Sequence, residues 1–442
     1  MQFLKFKSLL PAAALAVLCS CSTFDEEKIT LDGERISVLD GETALQPDYA
    51  PGQVKIVLPA PYTNTAWSQN GGNAAHMMGH LSSDSKLKEL WESGFGEGSS
   101  KRDFLIAAPV SAHKAVFTID ADGIVNAFRL DDGRKIWKRR LKPLIKDDIS
   151  TSLKGAGLAV FDKKVYATTG FGAVFALDMV TGKKLWRYDT ELPIRIAPTA
   201  ERGVVFIQTI DNKLIALNGV DGSVLWDYKS PSEETTLVGG ASPAYSPQQD
   251  TIVAAFSNGE LRAFKASTGS PLWSDILVSR KRTNSPANIN AIKANPVIDG
   301  STVYAVGNNI LVAIDLRSGA RIWEREIGSI NQPWVAGKFM FVLSNNYDLF
   351  AIEKATGKIV WNTQIPLGKT KEDKVGVTAS GPVLTSNRLL IATSNGYAFA
   401  VSPYTGKILG FITLSDGVGI PPVVVDNTAL FATDDADLTA YK

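Results

Sequence analysis

A thirteen-residue pattern that ends in tryptophan recurs without gaps along most of the chain. Complete copies span residues 125–137, 174–186, 214–226, 261–273, 311–323 and 349–361. A seventh copy, 398–410, ends in Gly410 instead. The chain ends on half of an eighth copy, LTAYK, and the missing half resembles LKELWES around Trp91 near the other end. A fixed period of about 20 to 50 residues predicts a propeller or a solenoid.

Each copy predicts two strands joined by a tight hairpin. Gly182 and its equivalents lie where such a hairpin needs a positive φ, which a residue without Cβ adopts easily. A small residue before the hairpin, such as Ala176, leaves room for the tryptophan. Burying an indole of about 150 to 250 Å² stabilises by roughly 4 to 6 kcal/mol as an upper bound. We therefore expect seven residues to dock neighbouring blades: Trp91, Trp137, Trp186, Trp226, Trp273, Trp323 and Trp361.

Two further apolar runs separate successive copies, for example residues 157–161 and 164–170 after Trp137. Four strands per period of about 38 to 50 residues are typical of a propeller blade. Counting Gly410, the chain has eight tryptophan-equivalent positions. The sequence therefore predicts an all-β, eight-bladed β-propeller with four-stranded antiparallel blades over residues 85–442. We expect pairing of the N- and C-terminal strands, 87–92 beside 438–441, to close the ring and remove its free edges.

Residues 1–20 have the layout of a secretory signal, with a short basic region, an apolar stretch from Leu9 to Leu18 and then small residues. The apolar stretch is too short to span a bilayer. The chain has two cysteines, Cys19 and Cys21, and both lie at the end of this segment. The run resembles a bacterial lipobox, and Cys21 fits it because Leu18 is too bulky to precede the cleavage site. We expect acylation at Cys21; the alternative is an ordinary cleaved signal with incidental cysteines.

Residues 21–84 predict a lipidated N-terminus and an extended tether that is rich in acidic residues. The apolar run VKIVL at 54–58 is a candidate to pack on the propeller. Ser22 follows Cys21, whereas an aspartate there tends to retain bacterial lipoproteins in the inner membrane. This favours the outer membrane, with the propeller facing the periplasm.

The balance of charges bears on the kind of partner the chain can bind. The chain has 46 basic and 45 acidic residues, a formal charge of +1, which does not favour nucleic acid as a partner. His76 and His80 lie four residues apart but have no third ligand nearby, so we interpret them as part of a polar loop rather than a metal site. We expect neither a metal nor a cofactor.

The run ALDMVTGKKLW at 176–186 resembles the docking repeat of pyrroloquinoline-quinone-type propellers. That family contains quinoprotein dehydrogenases and non-enzymatic lipoproteins of the outer-membrane β-barrel assembly machinery. The similarity to the lipoproteins covers the lipobox, the propeller and the blade completed by both termini. Residues 64–81 are similar to a segment ahead of the propeller in alphaproteobacterial members. The resemblance implies a scaffold that binds the POTRA domains of BamA and other lipoproteins of the machinery, with unfolded outer-membrane proteins as possible clients.

In that family the partner surface lies on loops that join neighbouring blades on one face. Four long connections, at 139–155, 228–242, 274–293 and 362–378, are predicted to emerge there. The resemblance implies partner contacts in TTLVGGASP and AIKANP, at Leu237, Val238, Gly239, Ile292 and Lys293.

This sequence departs from the family pattern in both loops. Val238 stands where an arginine is often found, and Ala291 and Lys293 occupy the places of an acidic pair. The face can therefore be shared with the family while the chemistry of the individual contacts differs.

Two alternative functions stay open. A quinone-dependent dehydrogenase would need a quinone in the channel, calcium bound by carboxylates and an amide, and a catalytic aspartate. Many such enzymes also have a vicinal disulfide, which this chain lacks because no cysteine follows Cys21. A scaffold for another envelope complex is the second alternative. We predict that the chain is not an enzyme.

Overall fold

The computed structural model describes residues 45–84, 86–100, 105–144, 155–231, 240–277, 291–368 and 376–442. Residues Gln46–Lys442 form one compact unit. Its strands form eight four-stranded antiparallel sheets, which confirms the predicted eight-bladed β-propeller. Strand β1 (Glu89–Gly94) precedes the first complete blade.

Blades 1 to 4 each use four strands in chain order. Blade 1 contains β2 (Val110–Ala112), β3 (Ala115–Ile119), β4 (Ile124–Arg129) and β5 (Lys135–Arg140). Blade 2 contains β6 (Gly155–Phe161), β7 (Lys164–Thr169), β8 (Ala173–Asp178) and β9 (Lys184–Asp189). Blade 3 contains β10 (Thr199–Glu201), β11 (Val204–Gln208), β12 (Lys213–Asn218) and β13 (Val224–Lys229). Blade 4 contains β14 (Ala244–Ser246), β15 (Thr251–Ala255), β16 (Glu260–Lys265) and β17 (Pro271–Ile276).

Blades 5 to 7 repeat this arrangement. Blade 5 contains β18 (Val297–Asp299), β19 (Thr302–Val306), β20 (Leu311–Asp315) and β21 (Arg321–Arg325). Blade 6 contains β22 (Trp334–Ala336), β23 (Phe339–Leu343), β24 (Asp348–Glu353) and β25 (Ile359–Gln364). Blade 7 contains β26 (Ala379–Thr385), β27 (Arg388–Thr393), β28 (Tyr397–Val401) and β29 (Ile408–Thr413).

Blade 8 combines both ends of the propeller. Strands β30 (Val423–Val425), β31 (Thr428–Ala432) and β32 (Asp437–Tyr441) come from the C-terminus, and β1 adds the outermost strand. Trp91 pairs with Ala440, and Lys88 and Lys442 exchange two backbone hydrogen bonds of 2.8 Å. The expected closure of the ring by its two termini is therefore present.

Alternation of strand direction gives the propeller two distinct faces. The hairpin face carries the turns between the first and second and between the third and fourth strands, such as 162–163 and 179–183 in blade 2. The connection face carries the turns between second and third strands, such as 170–172, and the connections between blades, such as 190–198. The inner strands are almost wholly buried, whereas the outermost strands alternate exposed and covered residues.

Indole groups join successive blades. Seven tryptophans on outermost strands each donate the indole N–H to a carbonyl oxygen in the third hairpin of the next blade, at 2.7 to 3.2 Å. The donor–acceptor pairs are Trp91–Leu130, Trp137–Met179, Trp186–Gly219, Trp226–Ala266, Trp273–Leu316, Trp323–Lys354 and Trp361–Pro403. We call each such contact an indole latch.

The hairpin glycine serves the latch in two ways. Gly182 has φ +66°, and a Cβ built there would lie 2.6 Å from Cε3 of Trp137. A side chain would therefore strain the turn and also displace the indole. The glycines of the other latched hairpins lie against their tryptophans in the same manner.

The junction between blades 7 and 8 has no indole latch, because Gly410 occupies the tryptophan position. In blade 8 the hairpin that would receive an indole does not exist, since the third and fourth strands are the two ends of the propeller. A Cβ at Gly410 would meet nothing within 4 Å. The tryptophan is therefore missing at the one junction where no hairpin exists to accept its indole N–H.

Residues 62–82, which we call the belt, make a complete circuit of the hairpin end of the central channel. The belt bonds to every blade in turn, at 2.6 to 2.9 Å. The partners, from blade 8 through blades 1 to 7, are Asn64 with Asp426, Trp67 with Ser111, Ser68 with Val160, Gln69 with Ala200, Ala74 with Tyr245, Ala75 with Ile298, Gly79 with Trp334, and Leu81 with Ser386. The ends of the innermost strands thereby satisfy backbone groups that would otherwise lack partners.

The two ends of the belt meet at the junction between blades 7 and 8. The amide of Tyr62 donates to the carbonyl of His80 at 3.0 Å, and that of Ser82 donates to Tyr62 at 2.9 Å. The hydroxyls of Thr63 and Ser82 both donate to Oδ1 of Asn427 in blade 8, at 2.9 and 2.5 Å. Leu81, fully buried, bridges to Thr385 in blade 7. The belt therefore clamps the one junction that lacks an indole latch.

Residues 46–61 cross the hairpin face of blade 6 before the belt begins. The amide of Asp48 donates to the carbonyl of Ile359 at 2.9 Å, and Ile56 is buried in the largest apolar cluster. Pro59 packs against Gly337. The described part of the 21–84 region thus lies against the propeller. No helix within the described ranges is long and apolar enough to cross a bilayer.

Candidate partner-binding face and central cavity

Of the sequence-predicted contact residues, the structure describes Ile292 and Lys293, which lie on the connection between blades 4 and 5. Leu237, Val238 and Gly239 lie outside the described residues, as do residues 278–290 and 369–375 of two other long connections. Gly240 is the first described residue after that loop. It lines a small cleft of about 50 Å³ together with Arg195 and Ile292. The structure therefore brings the end of one predicted loop beside the end of the other.

Ile292 and Lys293 are neighbours with different environments. Ile292 is 3% exposed and packs in the apolar cluster of blades 4 and 5. Lys293 is half-buried and forms part of the wall of the central cavity. Burial lowers the pKa of the Lys293 ammonium below its ordinary value, because a charged group is less well solvated there. Ile292 is thus a buried packing residue, whereas Lys293 lies in the wall of the cavity.

The central cavity has a volume of about 280 Å³ and a floor formed by the belt residues Trp67, Asn70 and Gly71. Trp67 stacks on Trp334 of blade 6 with ring centroids 6.1 Å apart. Because the belt covers the hairpin end of the channel, the cavity belongs to the connection face.

Most amide groups around the cavity already have partners. Asn295 donates to Oε1 of Gln332 at 3.0 Å and accepts from the amide of Ser242 at 2.7 Å. Gln332 donates to the carbonyl of His76 at 2.9 Å. Lys293 is the one charged side chain in the described lining, which contains no carboxylate.

The two histidines are buried parts of the belt. Nδ1 of His76 lies 2.7 Å from the carbonyl oxygen of Pro296, so this nitrogen carries the proton. Burial lowers the pKa of His76 to about 4. His80 lies between the carbonyl oxygens of Pro59 and Ser386, at 2.6 and 2.5 Å. In the described residues no group of three or more His, Cys, Asp or Glu side chains could hold a metal ion.

Sequence reasoning missed the role of the belt. Its amide- and glycine-rich sequence indicates a polar loop, yet Asn64, Gln69, His76 and His80 are all buried. Trp67 offered the best available signal, because a tryptophan outside the repeat needs its own apolar environment.

The eight blades, the indole latches and the ring closed by its termini define a tryptophan-docked propeller of the pyrroloquinoline-quinone type. A family profile described as outer membrane protein assembly factor BamB matches residues 121–363. The chain belongs to this family.

Individual relatives extend the similarity over the rest of the chain. The outer membrane protein assembly factor BamB of Shewanella oneidensis is 25% identical over 428 residues, which are 95% of this chain and 94% of that protein. The crystal structure of BamB from Moraxella catarrhalis has 16% identity and a TM-score of 0.67, covering 81% of this chain and all of that one (100%). A europium-containing methanol dehydrogenase has 15% identity and a TM-score of 0.66, covering 84% and 89% of the two chains. At these identities the two solved structures show a common fold alone.

Proposed function

We propose that this protein is a non-catalytic scaffold lipoprotein of the β-barrel assembly machinery. It is anchored in the outer membrane through Cys21, faces the periplasm and binds the POTRA domains of BamA through its connection face. Other lipoproteins of the machinery are further partners, and the assembly assists folding and insertion of outer-membrane β-barrel proteins. The family match across residues 121–363 carries this proposal.

The geometry of the connection face supports a binding role. The described residues that flank two of the long connections, Gly240 and Ile292, line one cleft, and a rigid scaffold that presents loops is a common arrangement for recognition. The ends of the two predicted contact loops converge at Gly240, Ile292 and Lys293.

The lining of the central cavity does not favour a dehydrogenase. A quinone-dependent enzyme needs carboxylates for calcium and for proton abstraction, and the described lining offers one lysine instead. The similarity to the methanol dehydrogenase concerns the fold, and a fold does not determine function.

A pull-down from detergent-solubilised membranes tests the partner. Tagged full-length protein should recover BamA, and Leu237→Asp should reduce recovery at least about tenfold, since a buried contact of 1.4 kcal/mol corresponds to that factor. Leu225→Asp is the matched control, because Leu225 is 51% exposed on the outermost strand of the neighbouring blade. Failure to recover BamA even after crosslinking would refute the proposal, and crosslinked partners from another envelope complex would replace it.

A charge reversal tests the second contact loop. Lys293→Glu should weaken recovery of BamA, whereas Lys265→Glu on the hairpin face should leave it unchanged. If neither Leu237→Asp nor Lys293→Glu has an effect, the partner binds another surface.

A further inference from the structure

The hairpin face of blades 6 and 7 carries exposed basic and apolar side chains side by side. We call this surface the basic apron and define it by Lys55, Val57, Tyr62, Lys338, Lys358 and Tyr404, together with Lys407. Val57 is 66% exposed, Tyr62 47% and Tyr404 42%. All four lysines are exposed.

Contacts within and between blades 6 and 7 hold the parts of the apron together. Pro59, two residues after Val57, packs on Gly337, which precedes Lys338. The amide of Lys354 donates to the carbonyl of Lys338 at 3.0 Å, so the two turns of blade 6 are adjacent. The indole latch from Trp361 reaches Pro403 at 3.2 Å, beside Tyr404.

The nearest acidic groups are already engaged. Asp48 bonds to Arg325 at 3.1 Å and to the amide of Ile359 at 2.7 Å. Glu353 accepts from Thr356 at 2.6 Å and from Tyr49 at 2.9 Å. Asp299 pairs with Lys354. None of the four apron lysines forms an ion pair of 4 Å or less with a described residue, and all four side chains are exposed. Nζ of Lys358 lies 5.5 Å from the ring centroid of Tyr49. The hydrogen bonds from Thr356 and Tyr49 lower the pKa of Glu353, and the charges of Lys358 and Lys338 help to lower it further.

We propose that the basic apron rests on an anionic phospholipid bilayer. This inference rests on the proposed anchoring at Cys21. Lysines attract anionic headgroups, and exposed aliphatic and aromatic side chains enter the interfacial region. The apron consists of separate turn tips around Lys338, Lys358 and Lys407, which suits a surface that requires no matching shape.

The path of the chain points to the same surface. Residues 46–50 leave the apron at the rim of blade 6, where Asp48 bonds to Ile359. Leu45 lies twenty-four positions after Cys21. A fully extended chain of that length reaches about 80 Å, so an anchored propeller has a high effective concentration at the membrane. Even a weak affinity of the apron for lipid then populates the docked state.

Docking of the apron would direct the connection face away from the membrane. The long connections near Gly240 and Lys293 would then be free to meet periplasmic domains. The apron and the partner-binding face would therefore operate without competing for the same residues.

A single-cysteine probe tests the docking. The acylated protein should have no free thiol, so Val57→Cys can carry an environment-sensitive fluorophore, with Ile330→Cys as the control. Ile330 is 50% exposed and lines the cavity on the connection face. The lipidated full-length protein is reconstituted in phosphatidylcholine vesicles with and without phosphatidylglycerol. We expect a shift to shorter emission wavelength at Val57→Cys in anionic vesicles alone, reversed by salt, and no shift at Ile330→Cys. Equal shifts at both sites, no shift at either, or a shift independent of lipid charge would overturn the inference.

Charge reversal provides the second measurement. Each basic residue near an anionic surface contributes about 1 kcal/mol, or about a fivefold change in binding. Lys338→Glu/Lys407→Glu should therefore lower the docked-to-free ratio by at least about 25-fold. Lys183→Glu/Lys184→Glu, the same charge change on blade 2, should alter the ratio far less. An equal effect of the two pairs would refute the choice of surface.

The outcomes separate this inference from the proposed function. Loss of co-flotation with both kinds of vesicle would refute the anchor and the docking together. If BamA recovery fails while Val57→Cys still reports docking, the partner is wrong and the apron stands. If Lys338→Glu/Lys407→Glu abolishes BamA recovery, the apron binds protein and the lipid assignment is wrong.

Discussion

Truncating Leu81 to alanine should loosen the junction between blades 7 and 8 selectively. Leu81 is 0% exposed and lies in the apolar cluster shared by both blades. Removing a fully buried leucine side chain costs about 2 to 5 kcal/mol, and we take about 3 kcal/mol here. At the other seven junctions an indole latch, with up to about 6 kcal/mol of apolar burial, resists opening. The junction between blades 7 and 8 lacks this stabilisation, because Gly410 replaces the tryptophan and the receiving hairpin is absent.

Hydrogen exchange measured by mass spectrometry reports this local opening. A loss of about 3 kcal/mol raises the open population roughly 100-fold, so amides in 379–386 and 423–430 should exchange faster by about that factor. The amides of Ser386 and Asp426 are direct reporters, since they donate to Leu81 and Asn64 of the belt.

Leu177→Ala is the matched control, because Leu177 is also 0% exposed but lies in blade 2. It should lower the global unfolding free energy by a similar amount without selective exchange at the junction between blades 7 and 8. If Leu81→Ala accelerates exchange equally at all junctions, or leaves 379–386 and 423–430 protected, the clamp assigned to the belt is refuted.

Three further outcomes follow from the latches and the buried histidine. Gly182→Ala should lower the unfolding free energy by about 2 to 4 kcal/mol in urea titrations, combining left-handed strain with displacement of Trp137. Gly203→Ala is the control, because Gly203 has φ +77° and a Cβ there would meet nothing within 4 Å. It should lower the unfolding free energy through backbone strain alone, by about 1 to 2 kcal/mol. Equal losses of unfolding free energy in the two variants would contradict the proposed displacement of Trp137. Gly410→Trp should not stabilise the protein, since no hairpin receives the indole, and a rise in the thermal midpoint would disprove this. His76 has a folded pKa of about 4 against 6.5, so the unfolded chain takes up the proton first as pH falls. Its contribution to stability is complete above pH 6.5 and declines by about 3 kcal/mol towards pH 4, and His76→Gln should remove this component from stability–pH curves measured in urea.

The architecture could be predicted from sequence because its determinants are local and repeated. Strand alternation, a hairpin glycine and a terminal tryptophan all lie within thirteen residues, and each copy supports the interpretation of the next. The belt could not be predicted in this way. Its contacts join residues as far apart as Asn64 and Val424, and it has no period. Its polar residues resemble an exposed loop in sequence, although Ala200 and Ser386, at the innermost strands of blades 3 and 7, satisfy Gln69 and His80 in the interior.

The missing tryptophan illustrates the same difference. The sequence identifies Gly410 as the exception to the tryptophan pattern. The sequence also predicts that the two terminal strands complete one blade, and the structure connects the two observations: that blade has no hairpin between β32 and β1 to receive an indole. A local pattern can therefore locate an irregularity, whereas its physical reason lies in the closure of the ring.

The environments of Ile292 and Lys293 predict different responses to substitution. Ile292 is enclosed by the cluster of blades 4 and 5, so substitutions there disturb packing. Lys293 lines an open cavity and has no ion-pair partner among the described residues, so its charge can change at little cost to stability. If Lys293 contacts the partner as the family resemblance implies, its positive charge requires a partner surface of opposite sign. We therefore expect the BamA surface that meets Lys293 to carry an acidic residue, and reversing both charges should restore the binding that Lys293→Glu removes. A double reversal without recovery would place Lys293 outside the interface.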